Sequence, residues 1–292
     1  MQSYTDEELK RLQRIELDIY HVFASACKEL NLSFIAGYGT ALGTVRHCGF
    51  IPWDDDMDIL MMRDDYERLV KNAGSIFEFP YELQEVRITD GYVIPFAKLT
   101  RRDTVFIEKT GLKTSYHQGI FIDIYPLDYV SDNRKVREKA MRRAWLQARL
   151  MVLAEYASPS LPETIKGWRK KAVLVLCAVI SRLIRLPGLT SKKIYKKYLE
   201  TVTSMKCEKE QGLLMELSQF RTEGPRDNGI IVYEEGELFP PRQMSFEMKI
   251  MQMPADPDRY LEKTYGDYLE TPPKEKRHNH LPEVLSFPKI DL

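Results

Sequence analysis

Apolar positions recur at helical spacing from the start of the chain. Leu9, Leu12, Leu17, Ile19, Val22, Phe23 and Leu30 follow Thr5-Asp6-Glu7-Glu8, a capping-box pattern, which predicts a first helix to about Leu30. Phe34-Ile35-Ala36 then reads as a short buried strand, Gly37-Tyr38-Gly39-Thr40 as a tight loop, and residues 41–47 as a short helix. A strand over 56–61 and a helix from Asp64 to about Ala73 follow. Residues 81–87, 92–99, 104–108 and 119–125 carry strand patterns, the last rich in β-branched and aromatic residues. From Asn133 to Glu210 the signals are nearly all helical, and residues 211–292 return to short elements, with a turn over 234–241 and a proline-rich tail wrapping the core. The alternation predicts an α/β (α+β) fold, a mixed-sheet core with flanking helices and a helical insertion. It divides into a mixed-sheet core over 1–132, a basic helical segment over 133–210, and a part over 211–292 that completes the core.

Chemistry concentrates in Asp54-Asp55-Asp56-Met57-Asp58, placed just before the apolar run Ile59-Leu60-Met61-Met62. Unpaired carboxylates repel one another and resist burial, so such a group suggests a bound cation; a solvated acidic turn is the alternative. On a strand, Asp56 and Asp58 would project from one face, which suits a hard divalent ion such as Mg2+. The upstream glycine loop opening a helix offers backbone N–H groups to phosphate. Arg46 can hold a phosphate with two guanidinium N–H groups. Asp123 is a third acid, alone inside the apolar strand Gly119-Ile120-Phe121-Ile122-Asp123-Ile124-Tyr125. A salt bridge would explain it, but a third metal ligand, which could also accept a proton from an attacking hydroxyl, fits better. Lys98 could neutralise phosphate charge. His117 reads as a loop residue, and Trp53, Tyr38, Tyr116 and Tyr125 as candidates for an aromatic wall.

The run from Gly39 to Ile59, Gly-Thr-Ala-Leu-Gly-Thr-Val-Arg-His-Cys-Gly-Phe-Ile-Pro-Trp-Asp-Asp-Asp-Met-Asp-Ile, resembles the signature of the LicD family, bacterial phosphocholine transferases related to fukutin and fukutin-related protein. Residues 119–128 resemble a second block of that family, and Tyr265-Gly266-Asp267-Tyr268 with Pro272-Pro273, Lys276-Arg277, His278 and His280 a C-terminal one. The resemblance implies a nucleotidyltransferase-like core that moves a phospho-alcohol from a CDP-linked donor such as CDP-choline to a glycan or glycolipid hydroxyl. It also implies that Asp56 and Asp58 form the pair that binds Mg2+ (Mn2+ being the alternative), that Asp123 is the third carboxylate, and that Gly37, Gly39 and Thr40 meet the nucleotide phosphates. Asn279 separates His278 from His280, where the family often has adjacent histidines, so neither histidine receives a catalytic role. A true nucleotidyltransferase and a non-catalytic, membrane-recruited scaffold are the rival readings.

The charge balance adds one feature. Lys plus Arg and Asp plus Glu are both 43, so the net charge is zero, yet residues 134–197 hold 17 basic and 3 acidic side chains, 17 − 3 = +14. The uncharged stretch 172–180 is far below the roughly 20 residues that span a bilayer. This segment is either a buried helix with solvated flanks or an interfacial element touching anionic membrane through 168–197. Nucleic-acid binding is not expected. The polar, acidic opening predicts no secretory signal. Cys27, Cys48, Cys177 and Cys207 are widely spaced, which fits reduced thiols and a cytoplasmic protein, peripheral on the inner face of the plasma membrane if the basic segment engages lipid.

Overall fold

Thr5 starts the first helix by accepting the Glu8 backbone N–H on its hydroxyl, while the Glu8 carboxylate takes the Thr5 N–H, the reciprocal capping box expected there. In this computed structural model, residues 3–108, 114–159, 161, 166–186, 188–205, 212–218, 231–277 and 279–288 are described. Helix α1 (Asp6–Glu29) buries Leu12, Ile15, Ile19 and Phe23 at the 3.6-residue period. Strand β1 (Phe34–Ala36), helix α2 (Tyr38–His47), strand β2 (Asp58–Met62) and helix α3 (Arg63–Ile76) follow. Then come β3 (Tyr81–Gln84), β4 (Ala97–Arg101), β5 (Val105–Ile107) and the long β6 (Ile120–Tyr129). The basic segment forms α4 (Arg134–Glu155), α5 (Gly167–Arg185) and α6 (Ser191–Val202). The C-terminal part supplies β7 (Leu213–Glu216), β8 (Tyr233–Glu234), α7 (Glu235–Leu238), β9 (Arg242–Phe246), β10 (Lys249–Met253), α8 (Pro257–Tyr265) and β11 (Val284–Ser286).

The main sheet has the order β1-β2-β6-β4-β3, with β6 parallel to β2 and antiparallel to β4. Where β4 ends, β7 pairs with the last residues of β6, and β8 pairs with β7, so the C-terminal part extends the same sheet. β11 returns to pair with β5. The result is the mixed α+β architecture that the sequence pattern implies.

Cross-strand partners share a face of the sheet. Gln84 faces Lys98, Lys98 faces Asp123, and Asp123 faces Asp58, so four polar residues form one row across β3, β4, β6 and β2. Thr100 and Phe121 occupy the next row of the same face. That face opens into a cavity of about 490 Å3, walled by Lys98, Thr100 and Phe121 below and by Tyr156 just after α4 and Cys177 of α5 on the far side.

Four local expectations need correction. The helix after the glycine loop starts at Tyr38 rather than Ala41, because Gly37 is its N-cap and the Tyr260 hydroxyl takes the Tyr38 N–H at 2.9 Å. The strand at 81–87 ends at Gln84: the Glu85 carboxylate accepts the Arg87 N–H and the Glu85 carbonyl accepts those of Ile88 and Thr89, which turns the chain. The strand expected over 92–99 is displaced to Ala97–Arg101, since Pro95 has no N–H to give a ladder. The turn at 234–241 contains the one-turn helix α7. The helical segment expected to Glu210 is described as far as Met205.

Candidate active site

Asp58 opens β2 and is held at both ends of its peptide unit. Its N–H donates to the Thr40 hydroxyl at 2.8 Å, and its carbonyl accepts the Gly37 N–H at 2.9 Å. The glycine turn and the acidic strand are therefore knitted together, and Thr40 orients Asp58 through its side chain. Asp56 lies two positions before the strand, outside the ladder, so the expected same-strand spacing of Asp56 and Asp58 does not apply. Asp58 instead sits beside Asp123 across the β2–β6 pair. The three acids share one neighbourhood. Burial pushes the Tyr125 phenol well above its ordinary value, and the charges of Asp123, then Asp58, and further down Asp56 add to it.

Asp123 is buried, and burial raises its carboxyl above the usual carboxylate range against the opposing pull of Lys98 and Tyr125. The Tyr125 hydroxyl donates to its Oδ2 at 2.9 Å. Its Oδ1 makes no well-formed hydrogen bond, and Lys98 Nζ stands 3.2 Å away as a counter-charge. Lys98 also lies over the Phe121 ring, 3.2 Å from its centroid, and lines the cavity, so it bridges the acids and the cavity.

The other acids of the run have distinct surroundings. Asp54 lies against Gly39: a Cβ there would fall 2.6 Å from Asp54 Oδ2. Burial, then repulsion from Asp56 and Asp55, pushes the Asp54 carboxyl up to about 8. Asp55 is fully enclosed, accepting the Tyr4 hydroxyl at 2.8 Å and the His280 N–H at 2.8 and 2.9 Å on its two oxygens. It joins the first and last segments of the chain.

Two residues to which the sequence assigns no role join the site. The His280 ring Nδ1 is 3.3 Å from Asp56 Oδ2, and hydrogen bonds with Asp55 and Asp56 push its pKa up to about 11. Glu16, on the buried stripe of α1, has an Oε2 without a hydrogen-bond partner. Burial, then the charges of Asp56, Asp55, Asp54 and Asp58, hold its carboxyl well above the usual range. His280 had a signal in the C-terminal block, whereas Glu16 is hidden in an ordinary amphipathic pattern.

Arg46 reaches the C-terminal tail. Its Nη1 donates to the Tyr268 and Glu270 carbonyls at 3.0 and 3.3 Å, tying α2 to the C-terminal tail. His117 shares a hydrogen bond with the Thr104 carbonyl, a loop contact. Tyr38 and Phe96 pack on Tyr125 at 5.6 and 4.4 Å between ring centroids, whereas Trp53 is covered by the Arg277 guanidinium. Tyr116 lines the cavity. His278 lies outside the described residues.

These residues suit a divalent cation. A buried oxygen without a hydrogen bond, oxygen-only donors and mutually repelling carboxylates all call for added positive charge. Among the described residues no three His, Cys, Asp or Glu side chains are drawn into a ready cage. Mg2+ does not require one, since it takes one or two carboxylates together with water and substrate phosphates.

Gly39→Ala tests how closely the acids are packed on the turn. The added methyl must displace Asp54, and a misplacement on the order of 1 Å near reacting groups costs about 10–100-fold in rate. Steady-state kinetics should show that loss at an almost unchanged melting temperature.

Residues 31–159 match the LicD/FKTN/FKRP nucleotidyltransferase domain. The lipopolysaccharide cholinephosphotransferase LicD of Haemophilus influenzae is 25% identical over 291 residues, covering 93% of this chain and 95% of its own length. Uncharacterised proteins of Rickettsia prowazekii and Rickettsia typhi are 27% and 28% identical over 137 residues, 45% of this chain and 50% and 42% of theirs. The glycine turn, the acid run and the Asp123 strand all fall inside the matched domain, and the chain is similar to LicD proteins there and, more weakly, over almost its whole length.

Proposed function

We propose that this phosphotransferase moves a phospho-alcohol, phosphocholine first among the candidates, from a CDP-linked donor to a hydroxyl of a cell-surface glycan or glycolipid, with release of CMP. The observation that carries this reading is the row Lys98, Asp123, Asp58 beside the glycine turn, in a chain similar over almost its whole length to a lipopolysaccharide cholinephosphotransferase.

Asp56, Asp58 and Asp123 would hold Mg2+, which when bound supplies positive charge to the donor diphosphate and to the departing CMP. The chain's own residues do the rest. Thr40 and Gly37 fix Asp58, and Tyr125 fixes Asp123. Lys98 meets phosphate charge in the cavity, whose apolar and aromatic lining receives the donor's base. The acceptor oxygen bonds to the phosphorus that carries the alcohol while the bond from that phosphorus to the CMP oxygen breaks. The hydroxyl proton passes to Asp123 Oδ1.

The test is the mass of the product after incubation with CDP-choline, Mg2+ and a lipopolysaccharide or teichoic acid acceptor. Gain of phosphocholine with one CMP per transfer is the expected result. Gain of a nucleotide by the acceptor would replace this reading with the true nucleotidyltransferase. Turnover with a different CDP-alcohol alone would keep the reaction and change the cargo.

A further inference from the structure

Helix α5 is built inside out. Trp168, Ala172, Val175, Leu176, Val179, Leu183 and Leu186 fall within an arc of about 100° at 3.6 residues per turn. The large side chains of this arc are between 50% (Val179) and 76% (Leu186) exposed. The opposite side faces the protein: Ser181 is buried and Cys177 lines the cavity. Arg185 fixes that orientation by donating to the Ala154 and Glu155 carbonyls at the end of α4, at 2.8 and 2.6 Å. The apolar face therefore cannot turn inward without breaking these contacts.

Charge identifies what covers it. Arg169 borders the arc on one side and Lys171 and Arg182 on the other, all exposed, and α5 contains no acidic residue. The neighbouring α6 adds exposed Lys196 and Lys197. A second copy of the chain would bring like-charged borders together, whereas an anionic lipid surface offers acyl chains to the arc and head groups to its cations. Among the described residues no helix is long and apolar enough to cross a membrane.

We infer that α5 is an interfacial helix that docks the protein on an anionic membrane surface through the Trp168–Leu186 face. Docking brings the α5-roofed cavity, and with it Lys98 and the carboxylate row, up to the lipid surface. This holds whichever group the enzyme transfers.

Co-sedimentation of the full chain with vesicles of mixed phosphatidylglycerol and phosphatidylcholine tests it, with pure phosphatidylcholine as the neutral control. Expected are binding to the anionic vesicles alone, weakening as salt rises, and quenching of Trp168 by brominated lipid relative to Trp168→Phe. Arg169→Glu/Lys171→Glu/Arg182→Glu should weaken binding about a hundredfold or more. Leu176→Ser/Val179→Ser/Leu183→Ser should abolish the quenching, and both variants should keep the parent melting temperature to within a few degrees. Absence of binding to anionic vesicles, or parent-like binding by both folded variants, would overturn the proposal. So would a dimer in lipid-free light scattering that the serine variant dissolves, since the face would then belong to a second copy.

Discussion

Asp123→Asn is expected to lower the transfer rate about 10³-fold, equivalent to roughly 4 kcal/mol of lost transition-state stabilisation. Asparagine keeps the volume and can still accept the Tyr125 hydroxyl, so the strand and its packing survive. What disappears is a negative charge in a buried position next to Asp58 and Lys98. Asp58→Asn should behave alike, because its backbone is fixed by Thr40 and Gly37 independently of the side chain. The two changes together should cost far less than the product of the single losses, since they disable one ion site. Lys98→Met should weaken donor binding and rate by a smaller factor. Rates and melting curves for the four variants decide this: a parent-like rate in Asp123→Asn would remove it from the chemistry.

The largest expected effect on stability lies elsewhere. Arg63 and Asp128 form a buried two-pronged pair, with Nε to Oδ1 at 2.8 Å and Nη2 to Oδ2 at 2.7 Å, where α3 meets β6. Arg63 also lies over the Tyr66 ring. Removing one partner strands the other charge, which costs about 3–5 kcal/mol, whereas replacing both with apolar residues is often neutral. Asp128→Asn should therefore lower the melting temperature by roughly 10 °C. Arg63→Met/Asp128→Leu should recover most of that loss, measured by thermal unfolding of all variants together. A double variant no better than the worse single one would show that the pair contributes more than mutual neutralisation.

What the sequence revealed of the site was mostly local. The acid run and the glycine turn are contiguous, and Asp123 is conspicuous as a charge inside an apolar strand. Their meeting depends on the parallel β2–β6 pairing, which places Asp58 opposite Asp123. Asp56 was misplaced because the acidic pattern does not show where the ladder begins; the first strand residue is Asp58. Glu16 was invisible, since one acid on a helix normally faces water and only the tertiary fold brings it under the acid run. His280 reaches Asp55 across 225 positions of sequence, a contact set by the path of the tail. Arg46 is suited to phosphate by its place after the glycine turn, and one nitrogen of its guanidinium, Nη1, donates to the Tyr268 and Glu270 carbonyls. The uncharged stretch of α5 could be read as core or interface, and the side of the helix taken up by Cys177 and Arg185 is what leaves its apolar arc exposed.

Binding of Mn2+, followed by its electron paramagnetic resonance signal with and without CDP-choline, tests most directly whether these acids form a cation site for an activated diphosphate. The account predicts binding that tightens when the donor is added and that falls at least about tenfold in both Asp58→Asn and Asp123→Asn, with the fold retained. Equal Mn2+ affinity in the parent and both variants, with or without donor, would contradict it.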